Sequence, residues 1–184
     1  MAGTHGKTTT TLMLANIGSK GSLNPTVIGG GTLTNQNSSA QSTQSPYLIV
    51  EADEYDRSFL DLYPTVAVVT NIDADHLDCY KDLQDIKSTF VQFLEKIPFY
   101  GFAVINGDDP GLKDIHSKIK SRCYTYGFSD FCDFQAIDVQ FSPSGSHFTV
   151  LAFKKTLVTI QMPVLGHHNI SNALAAIAVS HVLG

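Results

Sequence analysis

The stretch Gly3-Thr4-His5-Gly6-Lys7-Thr8-Thr9 decides how the rest of this sequence is interpreted. Its glycines allow a tight turn that brings backbone N–H groups close to a ligand. Its lysine adds a mobile positive charge and its threonines add hydroxyls, a combination typical of a phosphate-binding loop that opens a helix. The general motif begins with a glycine five residues before Gly6, where this sequence has Met1. A glycine-rich turn with a chance lysine therefore stays an alternative at this point.

Composition narrows the class of protein. The chain has 184 residues, of which 43% are hydrophobic, so it suits one globular domain with a real core. The net charge of −5, without a basic run, argues against nucleic acid or an anionic membrane as partner. The odd number of cysteines and the absence of a CxxC pair favour free thiols in a reducing compartment over disulfides or zinc. With no signal peptide and no apolar run of about 20 residues, we expect a cytoplasmic location without a membrane partner.

Apolar runs and helical periodicities alternate along the chain. Because only Met1 and Ala2 precede the phosphate loop, which normally follows a strand, the sequence resembles an excised domain. The pattern predicts an α/β fold with a doubly wound, mostly parallel sheet flanked by helices, followed by a small antiparallel three-strand meander and a last helix. The expected helices cover 8–17, 82–97, 110–119 and a segment ending at Gly184, and the expected strands cover 25–28, 47–50, 65–70, 102–105, 122–126, 134–141, 147–153 and 156–162.

The segment 29–46 is rich in Gly, Ser, Thr, Asn and Gln. Such a composition cannot bury a core, and the segment is long for a loop in a compact domain. We therefore expect either a loop that grips a ligand or a disordered one.

Two predicted strands run directly into residues that can bind metal. Glu51 follows the strand 47–50 and opens the acidic run 51–56, while His76 lies among several acids after the strand 65–70. Ligands of open α/β sheets bind at the carboxyl ends of strands, where acids can hold Mg²⁺ against phosphates. For Glu51 the metal role is favoured, whereas for residues 53–56 a solvated acidic loop is. For His76 a structural role competes with the metal role. Near the chain end, Asn169 and Asn172 share a helix face, where they can cap the helix or bind an adenine edge.

Four stretches together resemble the signatures of the Mur ligase family, in the family's order: 3–11, 51–54, 70–76 and 168–173. The resemblance is to the family's central, ATP-binding domain and covers essentially the whole chain. The family's phosphate loop is the shorter Gly-Thr-x-Gly-Lys-Thr form, which removes the mismatch at Met1. The stretches 75–80, 97–101 and 165–169 resemble most closely the branch whose substrates are UDP-N-acetylmuramate and L-alanine.

The resemblance implies an ATP-dependent amide ligase of peptidoglycan precursor synthesis. The γ-phosphoryl group of ATP would pass to the muramate carboxylate, and the amino group of L-alanine would displace phosphate from the acyl phosphate. Lys7 and His76 would be catalytic, and Thr8, Glu51 and His76 would bind Mg²⁺. The nucleotide would be held by Gly3, Thr4, His5, Gly6, Lys7, Thr8, Thr9, His168, Asn169 and Asn172. Several relatives carry a carbamylated lysine at a position near Phe90; Lys87 lies about one turn earlier, so we expect none here.

In this interpretation residues 1–184 form the middle domain, and the N-terminal UDP-binding and C-terminal amino-acid-binding domains lie outside the chain. The isolated domain should then bind nucleotide weakly and should not ligate. Three alternatives stay open: a related ligase that recycles a tripeptide, a P-loop phosphohydrolase or switch, and a non-catalytic binding fragment.

Overall fold

The computed structural model describes residues 1–21, 23–33, 38–75 and 78–184, with the backbone alone for 30–33 and 38–41. A 3₁₀ segment covers Tyr55–Asp61. The helices are α1 (Lys7–Lys20), α2 (Leu83–Leu94), α3 (Pro110–His116) and α4 (His167–Leu183). The strands are β1 (Thr26–Leu33), β2 (Ser38–Gln41), β3 (Leu48–Val50), β4 (Val66–Val69), β5 (Phe102–Asn106), β6 (Arg122–Gly127), β7 (Phe134–Ser142), β8 (Gly145–Ala152) and β9 (Lys155–Met162).

The strands form two sheets that Met1 and Ala2 connect. One sheet has the order β2-β1-β3 and the other the order β4-β5-β6-β7-β8-β9. The Met1 N–H group donates to the Val50 carbonyl of β3 at 2.7 Å, and the Ala2 N–H group donates to the Val68 carbonyl of β4 at 2.8 Å. The two residues thus occupy the place of a strand between β3 and β4, at the carboxyl end of both.

Helices cover both faces of the six-stranded sheet, as expected for a doubly wound fold. Residues of β4 and β5 alternate between them because successive side chains of a strand point to opposite faces. Val68 and Val104 pack in one apolar core with residues of α1 and α4, whereas Val69 and Ile105 pack in a second core with residues of α2 and α3. The prediction of a mostly parallel α/β sheet with helices on both faces is therefore confirmed.

The antiparallel strands β7 to β9 continue the main sheet. The sequence predicts a meander packed beside that sheet, but β7 pairs in parallel with β6 through Tyr126 opposite Phe134 and Gly127 opposite Gln135. Antiparallel pairing begins only between β7 and β8. The turn after Gly127 returns the chain in the same direction, so the meander extends the sheet edge.

The expectation of an irregular segment over 29–46 is wrong in two places. β1 continues to Leu33, and β2 pairs with it antiparallel over Ser38–Gln41. Backbone pairing needs no apolar side chains, which is why composition gave no signal for this hairpin. Beyond β2, the Thr43 N–H group donates to the Thr26 hydroxyl at 3.0 Å, so hydroxyl groups also fix the return of the chain. Residues 34–37 lie outside the described part.

None of the helices in the described part of the chain has both the length and the apolar character that a membrane span requires. All three cysteines are free thiols, as the sequence predicts. Burial raises the pKa of Cys123 and of Cys132 to about 12, which keeps both protonated and unreactive at neutral pH.

Candidate active site

Two glycines give the phosphate loop its shape. Gly3 has φ +125°, and a Cβ atom there would lie 2.2 Å from the Thr70 hydroxyl oxygen. Gly6 has φ +84°, and a Cβ atom there would lie 2.6 Å from the Asn172 side-chain oxygen. Since both positions combine a left-handed backbone with a close neighbour, the loop passes between β4 and α4 only if both residues are glycine.

The end of β4 holds the loop by a set of hydrogen bonds around His5. The Asn71 side chain accepts from the His5 N–H group at 2.8 Å and donates to the His5 carbonyl at 3.0 Å. The Thr70 hydroxyl donates to the same carbonyl at 2.6 Å. The Thr4 hydroxyl in turn accepts from the Asp73 N–H group at 3.0 Å. Asn71 and Thr70 thus support the loop from the end of β4.

Lys7 is held by an acid from the end of β3. Its ammonium group lies 2.6 Å from the Glu54 carboxylate and 4.0 Å from that of Asp53. The Glu54 side chain is only 3% exposed, whereas that of Asp53 is 67% exposed. A buried carboxylate therefore fixes the lysine close to the loop that precedes it. For Glu54 the expectation of a solvated acidic loop is wrong.

Thr8 and Glu51 bring two oxygen donors together at the same edge. The Thr8 hydroxyl donates to the Glu51 carboxylate at 2.7 Å, although the residues are 43 positions apart in sequence. Oxygen donors of this kind are the ligands that Mg²⁺ prefers. The described residues contain no group of three or more His, Cys, Asp or Glu side chains arranged for a metal. His76, the third predicted metal ligand, lies outside the described residues.

The first turn of α1 offers backbone donors toward the loop. Gly6 is the N-cap residue and has no side chain with which to cap the helix. The first backbone bond of the helix runs from the Thr10 N–H group to the Gly6 carbonyl, which leaves the N–H groups of 7–9 before it. Thr9 lies within this turn. An uncapped helix start beside a lysine is suited to phosphate oxygens.

The three residues expected to bind adenine lie at the start of α4, in different environments. His168 is exposed. The Asn169 side chain donates to the Leu165 carbonyl at 2.8 Å, which orders the turn before the helix. The Asn172 side chain is buried and accepts from the Thr10 hydroxyl at 3.2 Å. Asn172 thus joins α4 to α1 directly beside the phosphate loop.

Further contacts, made by Tyr80, Arg57 and Asp85, hold the backbone of Glu54 in place. The Tyr80 hydroxyl donates to the Glu54 carbonyl, and the Arg57 guanidinium group lies over the Tyr80 ring. Burial raises the pKa of Tyr80 to about 12, so the hydroxyl stays a donor at neutral pH. Arg57 also pairs with Asp85 at 2.6 Å. A hydrogen bond from the Lys81 N–H group, together with Arg57, lowers the pKa of Asp85. Sequence reasoning missed these contacts, because only the fold brings Arg57 and Tyr80 together.

Lys87, the residue closest to the position of a carbamylated lysine, has a charged partner. Its ammonium group lies 2.6 Å from the Asp114 carboxylate of α3, and its side chain is 8% exposed. This neighbouring ammonium lowers the pKa of Asp114 through a hydrogen bond and charge attraction. A carbamate on Lys87 would carry a negative charge and would be repelled by this carboxylate.

Comparison with known proteins adds the family. Residues 1–180 match the family model described as the Mur ligase middle domain. UDP-N-acetylmuramate–L-alanine ligases from Geotalea uraniireducens and Geobacter sp. are 52% and 49% identical over 98% of this chain. This chain spans 39% of the length of each of these relatives.

Solved structures agree. The UDP-N-acetylmuramate:L-alanyl-γ-D-glutamyl-meso-diaminopimelate ligase from Neisseria meningitides is 33% identical, with a TM-score of 0.87 over 99% of this chain and 60% of its own. The UDP-N-acetylmuramate–alanine ligase MurC from Thermotoga maritima is 27% identical, with a TM-score of 0.84 over 99% of this chain and 40% of its own. The chain therefore belongs to the Mur ligase family and corresponds to its middle domain.

Proposed function

We propose that this chain is the nucleotide-binding unit of a ligase that joins L-alanine to UDP-N-acetylmuramate with ATP and Mg²⁺. One observation carries the proposal: the adjacent residues Lys7 and Thr8 contact Glu54 and Glu51, which lie three residues apart after β3. A cation, a hydroxyl and two carboxylates thus meet beside the start of α1, where the N-cap residue Gly6 has no side chain. The curated relatives that are named as such ligases support the choice of substrates.

Each side chain has a role that follows from its position. The N–H groups of 7–9 would hold phosphate oxygens, and Lys7 would turn from Glu54 toward the transferring phosphoryl group. Thr8 and Glu51 would hold Mg²⁺, which when bound neutralises phosphate charge. His76 would hold a second metal ion, and the start of α4, with His168, Asn169 and Asn172, would bind the adenine.

The ligation itself needs parts that this chain does not contain. The muramate carboxylate would accept the phosphoryl group, and the amino group of L-alanine would then displace phosphate to form the amide. We propose that a UDP-binding domain precedes this unit and an amino-acid-binding domain follows it in the full-length protein, which would act in the cytoplasm. The isolated chain should then bind nucleotide without ligating.

A calorimetric titration of Mg²⁺ and a non-hydrolysable ATP analogue into the chain tests the nucleotide site. Lys7→Met should weaken binding at least about tenfold, because one charge-assisted contact to phosphate is lost. Lys20→Met is the matched control, since Lys20 lies exposed at the other end of α1. Equal affinity of the Lys7→Met variant and the unchanged chain would contradict the proposal.

Phosphate release by the full-length protein tests the reaction. We expect release that requires both UDP-N-acetylmuramate and L-alanine. The 33% identity to the Neisseria ligase favours one second candidate, a ligase for the tripeptide in that protein's name. Release with the tripeptide in place of L-alanine would support this second candidate, and release from ATP without an amino acid or peptide would indicate a phosphohydrolase.

A further inference from the structure

Two adjacent aspartates, Asp108 and Asp109, lie in the turn between the carboxyl end of β5 and the start of α3. Asp109 is the N-cap residue of α3. The Asp108 N–H group donates to the Asn106 side-chain oxygen at 3.0 Å, which fixes the turn. Because β5 lies between β4 and β6, the two carboxylates can reach the segments that follow both neighbouring strands. Each of them holds a different one.

The Asp109 carboxylate reaches the segment that follows β4. One of its oxygens accepts from the Leu112 N–H group of α3 at 2.8 Å and also from the Ile72 N–H group at 3.4 Å. Gly111 allows this close approach, because a Cβ atom there would lie 2.7 Å from the Ile72 carbonyl oxygen. The first turn of α3 thus packs directly on the backbone of Ile72 and fixes its position.

Ile72 lies between the two residues that hold the phosphate loop. The Asn71 side chain contacts both backbone groups of His5. The Asp73 N–H group donates to the Thr4 hydroxyl at 3.0 Å. A shift of Ile72 would therefore move both contacts at once, so the start of α3 acts on the phosphate loop through the segment 71–73.

The Asp108 carboxylate reaches the turn that follows β6. It accepts from the Phe128 N–H group at 2.5 Å and from the Ser129 N–H group at 3.3 Å. Gly127 leaves room for it, since a Cβ atom there would lie 2.4 Å from a carboxylate oxygen. The Phe128 ring packs edge-on against the ring of His167, the first residue of α4, with the ring centres 5.1 Å apart. Asp108 thus holds the turn against which the start of α4 packs.

We propose that Asp108 and Asp109 are positioning residues of the nucleotide site and that each one sets a different end of it. Asp109 holds the phosphate loop through Ile72, and Asp108 holds the start of α4 through Phe128. This inference rests on the proposed function, which assigns the triphosphate to the loop and the adenine to α4. Because the two aspartates are adjacent in sequence, one turn sets the spacing between the two ends of the site.

Amide hydrogen exchange in the absence of nucleotide tests the contact of Asp109. Asp109→Ser keeps a hydroxyl that caps α3, but the shorter side chain no longer reaches Ile72. We expect exchange at Ile72 and His5 to become at least about tenfold faster. Asp82→Ser is the matched control, because Asp82 caps α2 in the same way, by accepting from the Asp85 N–H group. Asp109→Asn keeps an oxygen at the same distance and should preserve slow exchange.

Calorimetric titration with two probes separates the two ends of the site. The probes are a non-hydrolysable ATP analogue and inorganic tripolyphosphate, each with Mg²⁺. Asp109→Ser should weaken the binding of both probes about tenfold, because both contact the phosphate loop. Asp108→Ala should weaken the ATP analogue about tenfold with little change for tripolyphosphate, since only the analogue reaches α4. Asp108→Asn keeps one acceptor oxygen and provides the same comparison if the alanine variant does not fold.

Two sets of results would overturn the proposal. Unchanged exchange at Ile72 and His5 in Asp109→Ser, or equal acceleration of these amides in Asp82→Ser, would show that Asp109 is only a helix cap. Equal weakening of both probes in the Asp108 variants would show that Asp108 does not act on the base end. An unchanged chain that binds neither probe would instead contradict the proposed function, and the exchange experiment would still decide whether Asp109 holds the phosphate loop.

Discussion

The two ends of the β3–β4 pair differ sharply. At the carboxyl end, Met1 and Ala2 bridge the strands, and polar side chains tie the phosphate loop to both. At the amino end, the same strands face each other across an apolar cavity of about 520 Å³. The contacts that shape the loop are thus concentrated in a small polar region at the carboxyl ends of β3 and β4. They form although a cavity separates the same two strands at their amino ends.

The largest effect on stability should come from the Met1 amino group, which lies where the polar region meets the cavity. Between pH 5 and 8 the unfolded chain binds more protons at the Met1 amino group than the folded chain does, because folding lowers this pKa to about 5. The free energy of unfolding should therefore rise with pH across this range, by up to about 4 kcal/mol. Acetylation of the amino group should remove this rise.

Chemical denaturation at several pH values measures the difference between the acetylated and the free chain. All side chains are the same in both forms, so their contribution to the free energy of unfolding cancels in the comparison. If both forms gained the same stability from pH 5 to pH 8, the burial of the Met1 amino group between β3 and β4 would be refuted.

The next largest effect should come from the ion pair between Lys7 and Glu54 at the carboxyl end of β3. Lys7→Met removes a cationic partner from a carboxylate that is 3% exposed, and the loss of an opposite charge beside a buried carboxylate is costly. We expect the free energy of unfolding to fall by about 3 kcal/mol, measured by denaturant unfolding. The double variant with Glu54→Gln should recover part of this loss, whereas Lys20→Met should change little. Additive losses in the double variant would show that the two residues do not interact.

Gly3→Ala should be somewhat milder. The new Cβ atom would meet the Thr70 hydroxyl at a backbone angle that alanine rarely adopts, so we expect a loss of about 2 kcal/mol. Gly21→Ala is the control, because Gly21 has φ −90° and the nearest atom to its Cβ would be 3.3 Å away. Thermal unfolding measures both. Similar losses in the two variants would mean that the close approach of the loop to β4 has no energetic weight.

The smallest effect should come from Asp82, which lies away from the β3–β4 pair and serves as a reference for a change of stability alone. The Asp82 carboxylate caps α2 by accepting from the Asp85 N–H group at 2.9 Å. Asp82→Ala should cost about 1 kcal/mol without changing nucleotide affinity, and Asp82→Asn should cost almost nothing. A marked change of affinity in the alanine variant would show that the site is sensitive to general loss of stability.

Much of the polar region at the carboxyl ends of β3 and β4 could be predicted from sequence. The spacing of Gly6, Lys7 and Thr8 indicated the loop, and Glu51 was expected to face it because it follows an apolar strand. Sequence could not separate Glu54 from Asp53, since adjacent acids differ only in the direction that the backbone gives them. It also could not show that Asn172 contacts the loop, because this depends on how closely α4 packs on α1.

The rest of the fold also contains elements that sequence predicts and elements that it does not. Apolar runs indicated β4 and β5 because both faces of these strands are buried. The hairpin partner β2 gave no such signal, since backbone hydrogen bonds create it. The place of β7 in the main sheet depends on a turn after Gly127 whose direction no periodicity records.

The most direct test of the account uses Mn²⁺ in place of Mg²⁺, with an ATP analogue, in the NMR spectrum of the labelled chain. Paramagnetic broadening falls off steeply with distance, so it locates the metal ion. We expect the signals of Thr8 and Glu51 to disappear first, and only when nucleotide and metal are both present. Broadening that spares these two residues, or that is equally strong without nucleotide, would contradict a magnesium–nucleotide site at Thr8 and Glu51.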